Sequence, residues 1–513
     1  MKNSVFLMMK FLLLFLILCC GPLFAEVKLP VIFSDGMVLQ RDSEAAIWGM
    51  AEAGSEVSVH FAGQNISAKA DADGAWRVVL KGLKMSKEGR DLVIKNEGDQ
   101  SVIHDVLVGE VWLGSGQSNM EWVLPRTDGG DEEVASAKDD LLRVFVSVNL
   151  TAVEPQWNWK GSWKSTKPEN SGRFTAVGYY FAKKLRKELD VPVGIVECAW
   201  GGKPIEAFIS EEAIVLVPVG KEMLQKKKRL AAQFDAVKSK KNYEAGRKVY
   251  LEKLAAWEKG GKKGKKPRGP GKPVDPATSP RLPATIYHGM IAPIVGYGNR
   301  GVIWYQGESN ANGGTGDYYE ELLGCLVADW RARWGSEMSF YWVQLANYGK
   351  ARSEAGWVTV QDEMRRALKS IPKSGMAVIN DIGATDNIHP GNKVDVGERL
   401  ARWALAQDYG MKEVVVSGPL YSGFATKGEK VVLSFDYAKG LKSRDQAPLK
   451  RFEIAGKDDV WKQAEAKVVG EAVEVWSDEV KQPVKVRYAW AQNPTGANLV
   501  NAEGLPASCF TTE

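Results

Sequence analysis

The stretch that decides the fold is Val106-Leu-Val-Gly-Glu-Val-Trp-Leu113, followed at once by Gly114-Ser-Gly-Gln-Ser-Asn-Met120. Apart from Glu110, the first eight residues lack the polar alternation of a half-exposed strand. A short apolar run of this kind reads as a strand buried on both faces, as in parallel sheets covered by helices. The next seven residues are rich in Gly, Ser and Asn, a turn that exposes a hydroxyl where following amides can receive an oxyanion. Ser118 therefore reads either as a helix N-cap or as a nucleophile. The turn is not a G-x-S-x-G elbow, because Met120 replaces the final Gly.

Working outward, four further apolar runs are Val193–Ala199, Gly301–Tyr305, Phe340–Leu345 and Met376–Ile379. Helical stretches lie near 173–189, 317–333, 357–370 and 392–408. Strands alternating with helices predict an α/β domain over 106–410 around a five-stranded parallel sheet. Ligands of such sheets bind at the carboxyl ends of the strands. Before it, residues 26–105 carry short alternating runs such as Val57–Phe61, Trp76–Leu80 and Leu92–Asn96, which predict an N-terminal β-sandwich. Alternation returns after Gly410, as in Lys430–Phe435 and Val484–Ala489, and predicts a second β module over 411–513.

Ordinary globular composition, with 44% hydrophobic and 26% charged residues in 513, excludes a mainly disordered or collagenous chain. The net charge is +5, yet Lys221–Pro276 alone carries 18 Lys/Arg against 6 Asp/Glu. This places a basic insertion, residues 221–280, on an acidic body. It predicts a helical hairpin or long helix over 221–259 and a Gly/Lys/Pro loop after it. Nucleic acid is not the expected partner. A solvated helix face explains the Lys excess most simply; attraction to anionic surfaces is the alternative.

Residues 1–25 read as a secretory signal, with Lys2 and Lys10 before an apolar run from Phe11 to Cys20 and Ala25 at the cleavage point. That run is too short to span a bilayer, so export without stable membrane insertion is expected, to the periplasm or beyond. Leu18 stands where a lipoprotein signal wants a small residue. Cys198, Cys325 and Cys509 allow at most one bridge, which rules out a disulfide framework.

The remaining chemistry clusters at strand ends. The last strand leads to Asp381-Ile-Gly-Ala-Thr-Asp-Asn-Ile-His-Pro390, where Asp386 and His389 lie three residues apart in one loop. A general base needs a partner that fixes its tautomer, and Asp386 fits that spacing better than Asp381. Of the four His, His60, His104 and His288 read as structural. With so few His and no Cys/His cluster, a zinc hydrolase does not fit. Donors for an oxyanion are available from a Gly amide in Cys198-Ala-Trp-Gly-Gly-Lys203 and a side-chain amide in Trp304-Tyr-Gln-Gly-Glu-Ser-Asn310. Trp122, Trp200, Trp304, Trp342 and Trp357 read first as core, with Trp122 the best pocket residue, four past Ser118. Arg331 and Glu308 read as buried ionic support.

Together the Gly116–Met120, Trp200–Gly202, Trp304–Asn310 and Asp386–Pro390 strings resemble the sialate O-acetylesterase family of the SGNH/GDSL hydrolase superfamily. Asp71–Trp76, Arg487–Trp490 and Asn501–Pro506 extend the resemblance over the mature chain outside about 221–280. It implies a three-layer SGNH-type domain and removal of O-acetyl groups from sugars, with neither metal nor organic cofactor. Ser118 becomes the nucleophile, His389 the base, and Asp386 its orienting partner. The oxyanion donors become the Ser118 amide, a Gly201 or Gly202 amide, and Gln306 or Asn310, since this chain departs from the superfamily's usual Gly-x-Asn-Asp. Gln117, Asn119, Trp122 and Glu308 are expected to line the substrate pocket. The sugar is left open between O-acetylated sialic acid and an acetylated plant or algal polysaccharide. Two other classes remain: a lipase-like or thioesterase enzyme of the same superfamily, and an inactive carbohydrate-binding surface protein.

Overall fold

A computed structural model describes residues 27–97, 99–349 and 356–513; the expected signal segment, residues 1–25, lies outside them. Seven strands, β1 (Asp99–Gly116), β2 (Asp139–Ser147), β3 (Gly161–Thr166), β4 (Val193–Ala199), β5 (Gly301–Tyr305), β6 (Ser339–Val343) and β7 (Ser374–Ala377), form the central sheet. Their order is β7-β6-β5-β1-β4-β2-β3. The first six in that order run parallel, and β3 joins the edge antiparallel to β2. The expectation of five parallel strands is corrected to six. The reason lies in Arg143, which interrupts the apolar run of β2. Its guanidinium is buried by donating to Gly36 O (2.8 Å), Asp105 O (2.6 Å) and the Asp105 carboxylate (2.8 Å).

Period-two alternation decides which helix layer each strand residue meets. Trp112 on β1 packs on Phe181 and Tyr341, centroids 5.0 and 5.7 Å apart. That is the face of α1 (Ala176–Leu189), which packs against α4 (Val394–Gln407). Trp304 on β5 points the other way. It meets Trp330 (6.3 Å) on α2 (Tyr319–Trp334), which packs on α3 (Gly356–Ser370). Both indoles are fully buried. The sheet is thus covered on both faces, the three-layer arrangement that all-apolar strands require.

At 18 residues, β1 crosses the expected boundary at 105/106. Its first half pairs antiparallel with Ser86–Asn96 in the N-terminal module, and its second half is central to the α/β sheet. The C-terminal module holds two four-stranded sheets around a core that includes Leu433, Phe452, Tyr488 and Phe510. Val358 of α3 belongs to that core, so this module packs directly on the helix layer. The basic insertion forms two helices, Pro218–Ala232 and Ala236–Lys259, the second without a buried residue. Among the described residues no helix is long and apolar enough to cross a membrane.

Candidate active site

The Gly116–Met120 turn is built at the end of β1. Gly116 has φ +133°, and a Cβ there would stand 2.2 Å from Tyr305 O, so only Gly lets β1 turn beside β5. Gln117 N donates to Tyr305 O (2.9 Å), and Met120 N donates to Gln117 O (2.8 Å), closing the turn with Ser118 at its corner. Buried Met120 anchors it further, since Thr175, the N-cap of α1, donates its hydroxyl to Met120 O at 2.6 Å. The Ser118 N–H has no acceptor among the described residues.

His389 Nε2 lies 2.7 Å from Ser118 Oγ. The Trp122 indole stacks on the imidazole, with centroids 4.5 Å apart at 15°, and Arg126 covers that indole at 5.3 Å. Burial pushes the His389 pKa down, and the positive charges of Lys393 and Arg126 push it further the same way. A neutral imidazole next to a serine hydroxyl is the form that accepts a proton.

Asp386 is not brought to that imidazole. It is exposed, and among the described residues no hydrogen bond or ion pair joins it to His389. The loop instead turns on Asn387, whose Oδ1 accepts from His389 N at 2.9 Å, and this leaves the Asp386 side chain in solvent. Asp381 is committed elsewhere, taking two bonds from Arg399 at 2.6 and 2.9 Å.

Gly201 lies against Ser118: a Cβ on it would be 3.2 Å from Ser118 Cβ. Its N–H donates to Glu121 Oε2 at 2.7 Å, so a carboxylate oxygen occupies one of the two expected Gly donors. Gly202, with φ +68°, faces Arg281 instead. Gln306 and Asn310 are fully buried and spent inside the wall. Gln306 Nε2 donates to Gln117 Oε1 (3.1 Å), Lys203 O (3.2 Å) and Asn310 Oδ1 (2.8 Å). Asn310 Nδ2 donates to Glu206 (3.0 Å) and Thr315 (2.9 Å). In this structure the N–H groups of the expected side-chain oxyanion donors, Gln306 and Asn310, support the turn from behind.

Three expected pocket residues also lie inside the wall, among them Glu308, which the sequence reads equally as buried ionic support. Gln117, Asn119 and Glu308 are buried, and Asn119 Nδ2 donates to Glu308 Oε1 at 2.6 Å. Trp122 alone of that set is partly exposed at the site. Of the other tryptophans, Trp304, Trp342 and Trp357 are core, while Trp200 is partly exposed beneath the Lys203 ammonium at 5.5 Å. Arg331 is buried on backbone carbonyls of Met338 and Pro372.

Sequence reasoning missed two contributors. Lys393, fully buried, donates to Asn119 Oδ1; the only signal was a lone Lys four residues past His389. Asn493 of the C-terminal module donates to Gly349 O (2.8 Å) and Thr385 Oγ1 (3.1 Å), bracing the loop that carries His389.

The chain is similar to known proteins along most of its length. A model of the family "Carbohydrate esterase, sialic acid-specific acetylesterase" matches residues 274–406, the segment that includes His389. Sialate O-acetylesterase of Rattus norvegicus is 29% identical over 468 residues, 82% of this chain and 80% of that protein. The Homo sapiens protein of the same name is 28% identical over 512 residues, 90% of this chain and 87% of its own. The crystal structure of a carbohydrate acetylesterase from Xanthomonas citri is 35% identical with a TM-score of 0.80, covering 95% of this chain and all of that one.

Proposed function

The chain belongs to the sialate O-acetylesterase family of carbohydrate O-acetylesterases, and from that premise we propose that it cleaves its ester in two steps through an acetyl-enzyme on Ser118. The observation that carries this is the 2.7 Å contact between Ser118 Oγ and His389 Nε2, on a ring whose pKa burial and the nearby cations lower. His389 Nε2 takes the hydroxyl proton as Ser118 Oγ bonds to the acetyl carbon, then gives it to the departing sugar oxygen. Water repeats the sequence, releasing acetate and restoring Ser118. The developing oxyanion is received by the Ser118 and Gly201 amides. Glu121 Oε2, an anionic oxygen on Gly201 N–H, marks that position as receptive to negative charge and must yield it to substrate.

The substrate class is an O-acetylated sugar. O-acetylated sialic acid is favoured by the exposed Arg126 and by Lys203 and Arg281 beside the Trp200-Gly-Gly202 turn, cations that suit an acidic sugar. An acetylated plant or algal polysaccharide is the second reading. Acetate release from matched acetylated sialic acid and acetylated xylan or xyloglucan separates the two. Release from neither sugar, with p-nitrophenyl octanoate cleaved faster than the acetate, would replace both with a lipase-like enzyme. No release from any ester would leave the carbohydrate-binding reading. Export is proposed from residues 1–25, and a secreted chain whose N-terminus begins near residue 26 would support it.

A further inference from the structure

We propose that Asn119, Lys393 and Glu308 form a buried clamp that fixes the nucleophile turn against the His389 loop and so positions Ser118 and His389 relative to each other. The inference rests on the serine esterase reading above. Asn119 is the residue after Ser118, and Lys393 lies four residues past His389, so one bond between them spans both halves of the catalytic pair. The Lys393 ammonium donates to Asn119 Oδ1 at 2.5 Å. The Asn119 amide donates in turn to Glu308 Oε1 at 2.6 Å and to Ile388 O at 3.1 Å, the carbonyl immediately before His389. Relative exposures are 1% for Asn119, 0% for Lys393 and 3% for Glu308.

Such a network costs desolvation that apolar side chains of the same size would avoid, so its use is geometric rather than stabilising. Burial pushes Lys393 down to about 7 and Glu308 up, each toward its neutral form, because both are held away from water. Lys393 has its Nζ 5.4 Å from the Tyr305 ring centroid, which closes the far side of the clamp. Among the described residues no hydrogen bond outside this clamp joins Asn119 to the loop that carries His389.

The clamp also carries charge. The groups that act on His389 are Lys393 from its own loop and Arg126 from the segment after the nucleophile turn; Glu308 and Asp128 act on Lys393 in turn. Lys393 disfavours the imidazolium, so removing its charge raises the His389 pKa and moves the acidic limb of kcat/KM to higher pH.

The test uses the full mature enzyme on an acetylated sugar, with thermal melting as the folding control. Lys393→Met should lower kcat about a hundredfold, the scale of an ångström of misplacement, with KM nearly unchanged and the acidic limb moved up. Glu308→Gln, which keeps an acceptor for Asn119, should recover most of the kcat that Glu308→Ala loses. If Lys393→Met does not fold, Asn119→Ser, which removes the bond to Ile388 O, should still show the kcat loss. Wild-type kcat with an unmoved limb in a folded clamp variant, or a loss confined to KM, would overturn the clamp alone. A wild-type enzyme that releases no acetate from any ester would instead overturn the esterase reading beneath it.

Discussion

Replacing Asp386 by Asn separates the spacing argument from the observed geometry. Where a carboxylate holds the catalytic imidazole, its amide replacement leaves the site intact but costs about four powers of ten in kcat, because the wrong tautomer is stabilised. Here the Asp386 side chain is in solvent, the His389 N–H donates to Asn387 Oδ1, and the ring Nε2 meets Ser118 Oγ. What remains is interaction through water between exposed charges, worth at most about 1 kcal/mol. That corresponds to about fivefold in rate. The assay is kcat/KM for p-nitrophenyl acetate and for an acetylated sugar, at a pH above the His389 titration, with His389→Ala measured beside it. A fall of about fivefold or less in Asp386→Asn, against several powers of ten in His389→Ala, supports a Ser–His pair without Asp386. A thousandfold fall in Asp386→Asn would show that the 383–389 loop carries Asp386 onto the imidazole during turnover, and the reasoning here would be refuted.

Two further expectations concern protons and buried charge. The depressed His389 pKa keeps the active neutral base available into more acidic solution, so the acidic limb of kcat/KM should fall below the ordinary imidazole value of about 6.5; a limb at or above that value contradicts the assigned causes. Glu110, fully buried on β1, is pushed up by burial but brought lower overall by Arg300 and Arg41, which donate to it at 3.0 and 2.5 Å. Because its folded pKa is depressed, its contribution is present above the unfolded carboxylate value, about 4.3, and is lost as pH falls through the lower folded value. Glu110→Gln should destabilise by about 2–3 kcal/mol, discounted because both arginines are partly exposed. Thermal melting at pH 7 and pH 4 checks this: the gap between variant and wild type should narrow at the lower pH.

Much of the site was legible because parallel sheets put chemistry at strand ends, and those ends announce themselves as apolar runs breaking into Gly-rich polar strings. Ser118 and His389 were both found that way, and they meet at 2.7 Å. Spacing was a poorer guide to partners. Asp386 stands at a suitable interval from His389, but a turn capped by Asn387 aims it outward. Gln306 and Asn310 read as oxyanion donors, and Gln117 and Asn119 as pocket residues, because they are polar and adjacent to strand ends. Burial turns them into mutual hydrogen-bond partners, a fate that residue type alone does not reveal. Strand β2 went unread because Arg143 interrupts its apolar run, and its burial depends on carbonyls and a carboxylate from residues 36 and 105. Lys393 and Asn493 were invisible for the same reason: their contacts span 274 and 108 residues of sequence.

The central claim is that Ser118 carries the acetyl group between the two halves of the reaction. Rapid acid quenching of wild-type enzyme during turnover, followed by peptide mass spectrometry, tests it most directly. The account predicts an acetyl group on the peptide containing Ser118, absent in Ser118→Ala, whose acetate release falls to the uncatalysed level. Acetate release that persists in Ser118→Ala, or an acetyl group trapped on a different residue, would contradict it.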